Sequence, residues 1–389
     1  MVQQLKSNVK SFTRAYAFLS DYEYTLGADE LTLFGQQQMI NSGVKFYQRY
    51  EAIASQYTPF LRSAGQARVV ESAQNWTQGY HAAKLIDRRA GSRGDSLYPY
   101  EILEIPENEG LNNTLNHEIC IDFEEGWYGD IADAAQTEWA DVFAAPIRDR
   151  LNSELPGANL STIQTIYLMD LCPFNTVASD TGAVSPFCSL FSEEEWHQYN
   201  YYEVRGSNSS SCAFPNGEQT LNKYYGYSHG NPLGPSQGVG FTNELIARMT
   251  NQAVNDHTST NSTLDNSNVT FPLGRKLYAD FSHDNDMTAI FSAMGLYNNI
   301  APLPNNTIVE AEDVGGYSAA WTAPFASRAY FEKLQCRGEP EELVRIIVND
   351  RVQVLKQCGG DRLGRCKLSA FVESLAFARS GGLWDQCYV

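Results

Sequence analysis

No stretch of the 389 residues approaches the roughly 18 apolar residues that a membrane-spanning helix needs, so none is expected. Positive charge is scarce. The 28 Lys and Arg stand against 46 Asp and Glu, a formal net charge of −18. Such a surface repels nucleic-acid backbones and anionic membranes, which excludes both as general partners but not a local basic pocket. There is no CxxC, HExxH, GxSxG, Walker A loop or GxGxxG after a strand. The histidines, at 81, 117, 197, 229, 257 and 283, show no metal-ligand spacing. No metal and no cofactor is expected. The first residues contain neither an apolar h-region nor a small-residue cleavage site, so they do not read as a signal peptide.

What is present points to an extracellular setting. Hydrophobic residues make up 43% of the chain, enough for one large or two medium domains. Eight cysteines are scattered at 120, 172, 188, 212, 336, 358, 366 and 387. Glycosylation sequons begin at Asn75, Asn112, Asn159, Asn208, Asn261, Asn268 and Asn305. Together with the acidity, these features favour a secreted protein over a cytosolic one with free thiols. A secreted body without a leader carries the expectation that an N-terminal segment precedes Met1.

Residues 28–55 read as one amphipathic helix opening on Asp29 and Glu30, with Leu33, Ile40, Val44 and Tyr47 at helical spacing. Ala67-Arg68-Val69-Val70 reads as a short buried strand followed by a helix through Leu85, and 87–118 as loop. Helical patterns dominate 127–200. A turn cluster at 230–238 leads into a helix at Glu244–Met249, capped by Thr242 or Asn243. Lys276–Phe281 reads as a strand and Met287–Leu296 as a helix. Val344–Val348 and Val352–Val354 read as a hairpin around Asn349-Asp350, and Leu368–Ala378 as a closing helix. This order predicts an α/β fold, a mixed sheet flanked by helices with a mainly helical domain inserted. Residues 1–100 and 270–389 form the first part and 101–269 the second.

The most informative dipeptide is His283-Asp284, where a strand gives way to a helix. In open α/β sheets, ligands bind beyond the carboxyl ends of strands, and a helix N-terminus presents free N–H groups to an anion. A histidine there can hydrogen-bond a phosphate oxygen, and an aspartate beside it can protonate a leaving alkoxide. Taken alone, the dipeptide is more simply read as an N-cap and a turn residue. Arg68, beside the expected buried strand, is the second candidate, since an unpaired guanidinium there would be costly. Pairing with Glu71 or another acid is the plainer reading.

These residues fall within a wider resemblance. Tyr24-Thr-Leu-Gly-Ala-Asp29, Phe34-Gly-Gln-Gln37, Asn41-Ser-Gly43 with Lys45-Phe-Tyr-Gln-Arg-Tyr50, Asn231-Pro-Leu-Gly234, Gly240–Arg248, Asp280-Phe-Ser-His-Asp-Asn285 and Ala378-Arg-Ser-Gly-Gly382 occur in order along the chain. Together they resemble the fungal histidine acid phosphatases, most closely the secreted phytases. The resemblance implies a monomeric enzyme that hydrolyses phosphomonoesters, including inositol phosphates, without a metal, at a site between an α/β domain and a helical one. It makes Asp284 the proton donor, with His283 and Arg68 binding the phosphate. It implies disulfides Cys120–Cys387, Cys172–Cys188 and Cys358–Cys366, and for Cys336 a partner upstream of the signature.

The departures matter as much. The signature R-H-G-x-R-x-P, whose histidine is the nucleophile and forms a phosphohistidine, is absent, and no other residue is assignable to that role. The expectation is that this segment and the first sheet strand precede the chain as given, which is then inactive. Residues 204–219, including Cys212, interrupt a stretch that is continuous in relatives and read as a retained intron or a surface insertion. A broad-specificity acid phosphatase and a non-catalytic phosphate-binding relative remain the alternatives.

Overall fold

The computed structural model describes residues 1–27, 30–90, 98–202, 220–315 and 317–388. The suspected insertion 204–219, with Cys212 and Asn208, and the expected helix-opening Asp29 lie outside these residues.

The first long helix, α1, runs Leu33–Arg49 rather than across 28–55. Thr32 sets its start, its Oγ1 accepting from the Gly35 amide at 3.1 Å. The helix stops at Tyr50, and Glu51–Ala54 forms a separate turn. Strand β1 follows at Phe60–Ala64, and α2 at Ala67–Ile86. The expected strand at Ala67–Val70 is therefore the first turn of α2. A four-residue apolar run carries no period that separates strand from helix. The actual strand was hidden by the charge of Arg62 at its centre.

Helices α1 and α2 pack backbone to backbone. A Cβ on Gly43 would lie 1.9 Å from the Trp76 carbonyl oxygen, and one on Gly79 equally close to that of Ile40. Glycine costs a helix about 1 kcal/mol, and this close crossing is what the two positions provide in return.

Strand β2, Ile102–Ile105, lies in the stretch read as loop. The helical half follows, with α3 at Ile121–Glu124, α4 at Trp127–Glu154, α5 at Thr162–Val177 and α6 at Glu193–Tyr202. A π-helical turn spans Lys223–Tyr227. Helix α7 runs Val239–Thr250, capped by Gly238 and starting before the expected Thr242 or Asn243. A short turn of helix, α8, spans Ser262–Asp265. Strand β3 is Tyr278–Phe281, and α9 is Asp284–Ala293.

β1 pairs in parallel with β2 on one side and β3 on the other, with Arg62 opposite Asp280. A separate antiparallel sheet holds β4 (Ala329–Leu334), β5 (Leu343–Val348), β6 (Arg351–Gln353) and β7 (Arg365–Lys367). The expected hairpin joins β5 to β6, and Asn349 and Asp350 both take the positive φ its two-residue turn requires. The class is α/β, as the element order predicted.

The interior forms two large apolar clusters. One gathers Trp139, Phe143, Ile166, Met169 and Phe187 of the helical half, joined by Leu5, Val9 and Leu19. The other lies around both sheets and includes Leu61, Trp76, Phe281, Phe291, Val344 and Phe371. Disulfides join Cys120 to Cys387, Cys172 to Cys188 and Cys358 to Cys366. Cys336 is unpaired among the described residues. No described helix is long and apolar enough to cross a membrane.

Of the sequons, Asn75 is buried within α2, where its amide donates to the Glu71 carbonyl at 2.9 Å. That position does not admit a glycan in the folded chain. The Asn112 amide is held by the carbonyls of Thr258 and Thr260, and that of Asn305 by Glu138. Asn159 and Asn268 are exposed, and Asn261 is half-buried.

Candidate active site

The three parallel strands each deliver a functional side chain just beyond their carboxyl ends. β1 ends at Ala64 and leads through Gly65 and Gln66 into α2, whose second residue is Arg68. β2 leads through Pro106 to Glu107. β3 leads through Ser282, whose Oγ donates to the Leu115 carbonyl at 2.7 Å, to His283 at the N-cap of α9 and Asp284 in its first turn. Parallel pairing alone places these ends side by side.

The contacts join them. Glu107 Oε1 accepts from the Gln66 amide at 2.9 Å, at the entrance to the turn that carries Arg68. The same oxygen meets His283 Nε2 at 3.2 Å. Burial alone would raise the Glu107 pKa. The hydrogen bond and charge of His283, the Gln66 amide and the Arg68 charge outweigh burial, and the pKa falls. For His283 the signs reverse. Burial would lower its pKa, but the Glu107 hydrogen bond and the charges of Asp286 and Glu107 raise it. Glu107 thus links His283 to the backbone of Gln66, two residues before Arg68, and lies within reach of the Arg68 charge. Arg68 itself stands at a helix start rather than beside a strand.

The structure adds residues that the sequence did not reveal. Lys223, buried in the π-helical turn, donates to the Asp284 carboxylate and to Asn285 Oδ1, the latter at 2.5 Å. A lysine inside an apolar, tyrosine-rich run was the available signal, since such a residue is rarely buried without a partner. Glu107 was missed because its strand was missed. His117 and Asp286 complete the cluster. His117 Nδ1 meets Glu124 Oε1 at 2.6 Å, and its pKa rises to about 9 because Glu124 and Asp286 overcome the effect of burial. The other histidines sit elsewhere. His81 packs on Tyr98 and Tyr100, His197 pairs with Glu310, His229 meets the Leu296 carbonyl and His257 lies against Gly381.

Under the site lies a buried ionic network. Arg62 of β1, 1% exposed, forks onto both oxygens of Glu244 at 3.0 and 2.6 Å, and its Nε reaches Asp280 at 2.7 Å. Arg248 holds the other Asp280 oxygen at 2.5 Å, and Thr114 donates to Glu244 at 2.9 Å. Asp280 lies opposite Arg62 in the register and three residues before His283, so the network fixes the end of β3 from which the site projects.

Comparison with known proteins identifies the family. The model of the histidine phosphatase superfamily (branch 2) matches residues 1–349. Phytase A of Aspergillus fumigatus is 49% identical over 390 residues, covering 100% of this chain and 79% of that protein. Phytase A of Penicillium oxalicum is 50% identical over 392 residues, covering 100% and 80%. Among solved structures, the phytase from D. castellii superposes with a TM-score of 0.72 at 21% identity, over 99% of this chain and 76% of that one. The Bifidobacterium longum multiple inositol polyphosphate phosphatase in complex with inositol hexasulfate gives 0.58 at 14% identity, over 94% and 84%.

Proposed function

Since the chain belongs to branch 2 of the histidine phosphatase superfamily, we propose that its site serves the hydrolysis of phosphomonoesters of inositol phosphates, with phytate the principal substrate. One observation carries this reading: Glu107, just beyond β2, joins His283, just beyond β3, to the backbone of Gln66 beyond β1, two residues before Arg68. Arg68 and His283 take the phosphate oxygens, and charge-assisted hydrogen bonds from both neutralise the charge that develops in transfer. Asp284 gives its proton to the bridging oxygen as the P–O bond breaks, so the inositol leaves as an alcohol. An arriving phosphate competes with Asp284 for the Lys223 ammonium, and a carboxyl released from that ion pair is free to carry the proton.

In the family's chemistry the phosphoryl group passes to the histidine of R-H-G-x-R-x-P. None of the 389 residues makes that motif, so the roles proposed for this chain are phosphate binding and proton donation. Three disulfides and the exposed sequons Asn159 and Asn268 support secretion.

Calorimetric titration with inositol hexasulfate, which is not hydrolysed as a phosphate ester, tests the site without requiring turnover. At pH 5, Arg68→Ala is expected to weaken binding about tenfold or more, as losing a charge-assisted hydrogen bond does. Equal affinity for the variant and the parent would remove Arg68 from the site.

A further inference from the structure

Asp286 has no part in the chemistry above, yet it is buried more fully than Glu107 or Asp284. It is 3% exposed, in the first turn of α9, and its Oδ2 meets no donor. A carboxylate left so is costly, and burial pushes its pKa up to about 6. The charges of His117 and His283 oppose that rise. Each imidazole also has an acid of its own, Glu124 for His117 and Glu107 for His283. Glu118 lies beside His117, while Arg68, Lys223 and Asp284 complete the charged surroundings.

We propose that Asp286 is a positioning residue that helps to hold His283 as an imidazolium, so that the phosphate site keeps its positive charge to a higher pH than it would without this carboxylate. The consequence for phosphate rests on the site reading above; the effect on the two imidazoles does not. Burial alone would discharge both rings as the pH rises. Asp286 is placed to counter this for His283, because it stands three residues after that N-cap in the first turn of the same helix, and its charge acts on His117 as well. The sign is fixed by its charge. While ionised, Asp286 attracts the proton on each ring, so removing the charge lowers both midpoints. Below its own pKa of about 6 it is mostly neutral, and the rings are protonated without its help.

The experiment follows the histidine rings by proton–carbon correlation spectroscopy on the full chain from pH 5 to 9, in the parent and in Asp286→Asn. The midpoints of His283 and His117 are expected to fall by about one pH unit, with those of His81 and His257 unmoved. Asp286→Ser should give the same shift, which separates charge from shape. Binding of inorganic sulfate, whose charge is constant over this range, is expected to match the parent at pH 5. At pH 7.5 it should be about threefold weaker or more in Asp286→Asn. Unmoved midpoints would overturn the proposal. Tighter sulfate binding by the variant at pH 7.5 would also overturn it, because Asp286 would then act by repelling the anion. Shifted midpoints with no sulfate bound by either protein at pH 5 would overturn the phosphate-site reading, and with it the role of Asp286 there.

Discussion

Arg62→Leu is expected to destabilise the protein by about 3–5 kcal/mol, read as a lower urea midpoint, because it leaves two buried carboxylates without their shared cation. The guanidinium is 1% exposed and makes three charge-assisted hydrogen bonds, two to Glu244 and one to Asp280. Burial would lower its pKa, but the charges of Asp280 and Glu244 more than offset this. Arg248 supports only the Asp280 end. A surface pair gives the contrast. Lys45 and Asp350 are both substantially exposed, and Lys45→Ala is expected to cost less than about 1 kcal/mol. The penalty for Arg62→Leu should also depend on pH. Burial would raise the Asp280 pKa, but Arg248 and Arg62 hold it well below the carboxylate range. A depressed pKa contributes stability above the unfolded value, near pH 4, and loses it as the pH falls further. The gap between parent and variant should therefore be full at neutral pH and narrow below about pH 4. A gap that widened in acid would contradict this assignment of the network.

The second large effect concerns turnover. A polypeptide of these 389 residues is expected to hydrolyse p-nitrophenyl phosphate and phytate at least about a thousandfold more slowly than the phytases it resembles. In catalytic units of this kind, removing the nucleophile alone costs about as much as removing the whole set. Of the six histidines, only His283 and His117 lie in the cluster, and both are engaged by carboxylates, Glu107 and Glu124. On the reading proposed above, Arg68, His283 and Asp284 still orient a phosphate and protonate its leaving oxygen, which provides binding without an acceptor for the phosphoryl group. A rate comparable to that of the relatives, and abolished by His117→Ala or His283→Ala, would mean that the nucleophile had been misassigned.

The sequence showed the local parts of the site and missed the parts that depend on pairing. His283-Asp284 was legible because a strand with aromatic residues at both ends, Tyr278–Phe281, runs straight into a helix with acids in its first turn. Asn349-Asp350 was legible because a two-residue turn has its own chemistry. Arg68 was singled out from its residue type but placed on the wrong element, since it lies in the first turn of α2. Its strand lies a few residues earlier, with a buried arginine in the middle, and a charge is read as exposure unless its partners are known. Those partners, Glu244 and Asp280, lie 182 and 218 residues away along the chain. Glu107 and Lys223 were hidden for the same reason. Each matters through a contact, with His283 and Asp284 respectively, that no local period announces.

The most direct test of the central claim is a crystal structure of the chain with inositol hexasulfate bound at pH 5. One sulfate should rest at the carboxyl ends of β1 and β3, within hydrogen-bond distance of both Arg68 and His283, with the Asp284 carboxyl facing its bridging oxygen. A ligand held elsewhere, with Arg68 and His283 both unoccupied, would contradict the account.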